Sequence, residues 1–140
     1  MEFITDRTEE DVLLGNAKGR YRYTDLNRVE QAVADLCILA TQLDLYPKLA
    51  TKTDWGPPGI FSADSWPTDE QMQRYLENVT ALCDLFHIDS ENVPGSPDYL
   101  DWQGANSIEE ALQLVYNRVI GIINSFRYSG ELYAGDDIGI

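Results

Sequence analysis

Histidine is nearly absent from this chain. Of 140 residues only His87 carries an imidazole, so any mechanism that needs a histidine base or ligand rests on that one side chain. It falls where the second of three helical patterns ends, a place where a donor complements the helix dipole. Cysteine is nearly as scarce. Cys37 and Cys83 with one histidine fall short of the four ligands of a structural zinc site. Each lies on the apolar side of a helical pattern, where a reduced, buried thiol is expected. No serine or cysteine has the G-x-S-x-G context of an activated nucleophile, and no glycine-rich stretch has the spacing of a phosphate loop. The acidic groups at Glu9 and Asp136 lack the alternating spacing of a calcium loop. A loop calcium drawn from Asp54, Asp64, Asp98 or Asp101 is the remaining, disfavoured metal reading. The expectation is a protein without catalytic residues, metal or cofactor.

Basic residues are few as well. Ten Lys and Arg face 24 Asp and Glu, a net charge of −14. A field of that sign repels a phosphate backbone and an anionic bilayer, so neither nucleic acid nor membrane is expected as a partner. No apolar run approaches the roughly 18 residues of a membrane span. The opening MEFITDRTEEDVLLG has no apolar core of a secretory signal, and synthesis and folding in a cytoplasm are expected.

What is present is helical periodicity. Leu26, Val29, Val33, Leu36, Ala40 and Leu43 recur at three- and four-residue steps, which predicts a helix over about Thr24 to Leu43, capped by Thr24 or Asp25. Met72, Tyr75, Val79, Leu82 and Phe86 predict a second over about Asp69 to Phe86, with Thr68 and Gln71 spaced as a capping box. Ile108, Leu112, Val115, Val119, Ile122 and Phe126 predict a third over about Ile108 to Arg127, boxed by Ser107 and Glu110. Helices with one apolar face can bury it only against one another. The expected fold is all-α: an antiparallel three-helix bundle over residues 24–128 with Pro/Trp-rich connections. An N-terminal arm with a short helical turn (1–23) precedes it, and an extended C-terminal arm (129–140) follows a Ser129–Gly130 turn. A short echo, LNRV at Leu26, LENV at Leu76 and YNRV at Tyr116, is too irregular in spacing for a repeat protein.

Proline and glycine cluster between Tyr46 and Pro67 and exclude a helix there, while LATKTDW alternates in the manner of a short strand. Trp55, Phe61, Trp66, Tyr99 and Trp102 all fall in connections. Such rings either pin irregular loops to a helical core or form a platform for sugars, so Trp55, Trp66 and Trp102 are the candidate glycan-binding residues. The end of the chain carries Tyr128, Leu132, Tyr133 and Ile138, too apolar for a free tail, and these are the candidate partner-binding residues.

The order of DRT-x-x-DV, NAKG-x-Y-x-YTDLNRVE-x-AV, KTDW, M-x-RYL-x-NV-x-AL, GAN-x-IE-x-L and YSGELYAGD resembles a group of small proteins and modules. These are encoded among the tail and fibre genes of phages and prophages of Firmicutes, especially gut clostridia. The resemblance runs from Asp6 to about Asp136. It departs at Arg22, where relatives often have Asn. It implies a virion structural protein at the distal tail, baseplate or fibre, meeting other tail proteins and further copies of itself. It implies no enzymatic activity. The alternative it leaves is a receptor-binding module for a bacterial surface glycan. Within YTDLNRVE, Asp25 and Asn27 are expected to brace the first helical turn while Arg28 reaches an acidic neighbour.

Overall fold

The computed structural model describes residues 1–56 and 67–132, with side chains described except at Tyr99 and 127–132. These residues are all-α: four α-helices, one 3-10 turn and no strand. The helices are α1 (Glu9–Leu14), α2 (Tyr23–Thr41), α3 (Asp69–Leu85) and α4 (Trp102–Leu132), with the 3-10 turn at Pro97–Tyr99. Each of α2, α3 and α4 touches the other two.

The apolar stripes meet in one core. Leu36, Val79 and Val115, one from each long helix, are completely buried. Around them lie Leu26, Val29, Val33, Leu76, Leu82, Ile108, Leu112 and Val119. At roughly 1.5–3 kcal/mol for each fully buried large aliphatic side chain, this seam is the dominant stabilising term. The stripe of α4 drifts at its far end, because 3.6 residues per turn does not match a strict heptad. There Ile123 is buried and Phe126 is exposed.

The helix ends differ from expectation in instructive ways. Helix α2 starts at Tyr23, and Asp25 sits one turn inside, where its carboxylate accepts the Arg22 backbone N–H at 2.8 Å. Thr68 caps α3, its hydroxyl accepting from the Gln71 N–H at 3.3 Å, but the returning half of the expected capping box is missing: Gln71 Oε1 is buried without a donor. Helix α4 begins six residues before the expected Ile108, so Ser107 and Glu110 form no cap. Asp101 takes that place and accepts from Gly104 N–H at 2.7 Å. At the other end α4 runs through Ser129 and Gly130 to Leu132. The extended arm expected from residue 129 is therefore helical over its first four residues, and residues 133–140 lie outside the described ones. The strand-like LATKTDW has no regular structure.

Both α2 and α3 end on a left-handed residue that is not glycine. Asp44 has φ 57° and His87 φ 58°. After α3, Ile88 N–H donates to Cys83 carbonyl and His87 N–H to Asp84 carbonyl. After α2, Leu45 and Asp44 donate to Ala40 and Thr41 in the same pattern, a Schellman closure.

Candidate functional site

Two buried polar clusters organise the surface-to-core connections. The first centres on Glu109, fully buried near the start of α4. Its Oε2 accepts from Arg7 Nη2 at 2.7 Å and Arg28 Nη2 at 2.9 Å. Its Oε1 accepts from Arg28 Nε at 2.9 Å and the Ile4 backbone N–H at 3.1 Å. Asp25 closes the ring, bound to Arg28 at 2.8 Å and lying 3.4 Å from Arg7. Two cations and two anions balance here. Burial opposes the Arg28 charge, but its bonds to Glu109 and then Asp25 raise its pKa further than burial lowers it. Asn106 clamps the same segment, accepting from Arg7 N–H at 3.0 Å and donating to Arg7 carbonyl at 2.9 Å. The N-terminal residues are thus fastened to α2 and α4 rather than free as an arm. Beside them the Arg7 guanidinium lies 5.6 Å from the Tyr21 ring centre, and the Tyr21 and Tyr75 hydroxyls hydrogen-bond to each other.

The second cluster centres on Glu30, 1 % exposed on α2. It accepts from Trp55 Nε1 at 2.7 Å, Lys52 N–H at 3.0 Å and Arg74 Nη1 at 2.6 Å. Asn27 pairs twice with the Trp55 backbone, donating to its carbonyl and accepting its N–H, both at 2.8 Å. From α3, Asn78 donates to Ala50 carbonyl at 2.7 Å. The asparagines of LNRV and LENV therefore hold one connection from opposite helices. Nothing in the motif spacing indicated that shared target.

Chemically these clusters bind the chain to itself. Both oxygens of Glu109 and both of Glu30 accept two donors each from within the chain. Among the described residues no group of three or more His, Cys, Asp or Glu side chains is placed to hold a metal ion. Cys37 and Cys83 are free thiols, and burial pushes the Cys83 thiol up to about 11. His87 is exposed beyond α3.

A cavity of about 280 Å³ opens beside the first cluster. Its walls include Val12, Tyr21, Leu100, Trp102 and Ala105, with Arg7 and Lys18 also lining it. The wall from α1 is capped at both ends. Thr8 and Asp11 form a complete capping box, and Gly15 ends the helix at φ 64°. Gly19 then returns so close to α1 that a Cβ there would sit 2.1 Å from the Asp11 carbonyl oxygen.

Of the three candidate glycan-binding tryptophans, two are described, and they sit in different surroundings. Trp55 is 3 % exposed with its indole N–H on Glu30, so it pins a loop and offers no stacking face. Trp66 lies outside the described residues. Trp102 is half-buried, belongs to α4 rather than a loop, and lines the cavity. Of the candidate partner-binding residues, Tyr128 and Leu132 lie on the last turns of α4, with side chains outside the described set. Tyr133 and Ile138 lie outside the described residues altogether. Sequence reasoning passed over Arg7, Glu30 and Glu109. Comparison with protein-family profiles, curated proteins and solved structures finds no match to this chain.

Proposed function

We propose that the chain is a structural protein of a tailed phage or phage-like particle. In this reading an antiparallel three-helix bundle works through protein–protein contacts at the distal tail, baseplate or fibre. Its partners are other tail proteins and further copies of itself, without nucleic acid or membrane. It resides in the virion after synthesis in the bacterial host. The supporting observation is apolar side chains exposed on helices: Leu13 is 80 % exposed and Leu14 69 % on the doubly capped α1. Ile38 on α2 and Leu114 and Phe126 on α4 add further exposed apolar side chains. Apolar side chains presented on an already formed helix suit binding at low ordering cost. The polar residues of YTDLNRVE support the same reading, because Asp25, Asn27, Arg28 and Glu30 act inside the protein as structural ties.

Electron micrographs of particles labelled with an antibody to the chain test this. Label at one end of the tail is the expected result, and particles free of label would end the proposal. Deleting residues 133–140 is expected to reduce incorporation through loss of Tyr133 and Ile138. The second reading, recognition of a bacterial surface glycan, is favoured only by Trp102 on the cavity wall. A glycan array probed with wild type and Trp102→Ala tests it.

A further inference from the structure

We infer that the cavity between α1 and the start of α4 seats one large apolar side chain of a partner polypeptide, flanked in that partner by lysine or arginine. The inference rests on the assembly reading and names the chemistry of the partner. Size comes first. About 280 Å³ lies at or below the small end of drug-sized ligand pockets but holds one aromatic or branched side chain. Val12, Tyr21, Leu100 and Trp102 supply apolar walls for it.

The second observation is an unpaired donor. The Arg7 side chain is 2 % exposed and lines this cavity. Its Nη1 and Nη2 are bonded to Ile4, Asn106, Asp25 and Glu109, while its Nε–H is buried without an acceptor. Buried donors in folded proteins are nearly always paired. The guanidinium charge is already matched within the Glu109 cluster, so Arg7 does not oppose a basic partner. Its Nε–H is closed to solvent and takes no bond from the occupant, but it lies on a cavity-lining side chain and reports on an occupant through the wall.

Charge decides the flanks. Glu9 and Glu10 on α1 and Asp101 at the cavity are exposed carboxylates. Lys18 at the wall is paired with Asp6 at 2.7 Å. The whole chain carries −14. A partner with basic residues beside its anchor is attracted, and a second copy of this chain is repelled.

The test uses the full chain labelled with ¹⁵N and three synthetic peptides: acetyl-Lys-Phe-Lys-amide, acetyl-Glu-Phe-Glu-amide and acetyl-Lys-Ala-Lys-amide. The first is expected to shift the Arg7 Nε–H and Trp102 Nε1–H resonances saturably. The other two should bind at least about tenfold more weakly. Ala105→Leu, which narrows the cavity, and Val12→Asp, which charges a wall position 43 % exposed, should each weaken the first peptide by a similar factor. Val12→Asp carries the conclusion if Ala105→Leu fails to fold. Equal shifts from the alanine peptide, or unmoved Arg7 and Trp102 resonances, overturn the inference. So do the same shifts on concentrating the chain alone, which would assign the cavity to a second copy. Particles that take up Val12→Asp as well as wild type would defeat the cavity's role and spare the assembly reading. Particles without the chain would defeat the assembly reading and leave the peptide result standing.

Discussion

Replacing Glu109 by Ala tests the physical core of this account. The carboxylate is fully buried, and the Arg7 side chain it holds is 2 % exposed. Without it, two guanidinium groups face Asp25 alone, and the Ile4 N–H loses its acceptor. Breaking a buried ion pair by removing one partner costs about 3–5 kcal/mol. Arg28 is 22 % exposed, so water recovers part of its share, and the lower half of that range is expected. Glu109→Gln keeps one acceptor oxygen and should cost about 2 kcal/mol, within the range for a bond to a charged group. Against a typical total of about 5–15 kcal/mol, the alanine variant loses a large fraction of the stability. The assay is urea unfolding followed by tryptophan fluorescence, with the m-value checked for constancy. Amide exchange at residues 4–8 should accelerate in both variants, because the N-terminal segment loses its anchor. Glu110→Ala, one residue along and exposed, is the control and should lie within about 0.5 kcal/mol of wild type. A loss below about 1 kcal/mol for Glu109→Ala with unchanged m would refute the claim that this ring fastens the N-terminal segment.

Three further outcomes rest on the same buried contacts and helix ends. Glu30→Ala strands the Trp55 indole N–H and the Lys52 N–H and should destabilise by about 2–4 kcal/mol, with a red shift in emission as Trp55 loosens; unchanged emission would count against the tie. His87→Gly relieves a left-handed histidine and should stabilise by about 0.5–1 kcal/mol in thermal unfolding, with Asp44→Gly acting likewise; a destabilising result in both would show that the side chains contribute elsewhere. Burial raises the Tyr21 and Tyr75 hydroxyls above the ordinary value of 10.0. A raised pKa means the folded state keeps its protons longer, so this stability is complete below pH 10 and is lost as pH rises beyond it. Each tyrosine contributes up to about 1.4 kcal/mol per pH unit there, and melting at rising pH should show a steeper fall than in Tyr21→Phe/Tyr75→Phe; identical slopes would remove the effect.

The three long helices were legible because their signal is local. An apolar residue every three or four positions reports one wet and one dry face without knowledge of what lies opposite, and Leu36, Val79 and Val115 are indeed dry. The polar ties were not legible because their partners are distant: Glu109 meets Arg7 and Arg28, 102 and 81 residues away. A trace of the signal existed. Glu109 is four residues after Ala105 and three before Leu112, and Glu30 is four after Leu26 and three before Val33. A carboxylate at core spacing demands a buried cation. The start of α4 was hidden by Gly104 and Asn106, which read as turn. Tertiary contacts override that preference, since Gly104 is buried and Asn106 is bonded on both sides to Arg7. Arg28 did reach acidic neighbours, as the YTDLNRVE pattern implied, while Asn27 braced a connection rather than its own helix.

The internal ion clusters also shape what the outside can meet. Arg7, Arg28 and Arg74 are drawn inward against Asp25, Glu109 and Glu30, three cations matched by three anions. Of ten basic and 24 acidic residues, seven and 21 then remain for the rest of the molecule, so acidic groups outnumber basic ones three to one outside the clusters. Buried ion pairs contribute little net stability compared with apolar packing, but they tie specific segments in one register. Here they fix α1 and the cavity beside it while making the surroundings more uniformly negative. Copies packed side by side would repel unless apolar contacts or a basic partner offset the field. The exposed Leu13 and Leu14 supply the first, and the basic-flanked anchor inferred for the cavity supplies the second.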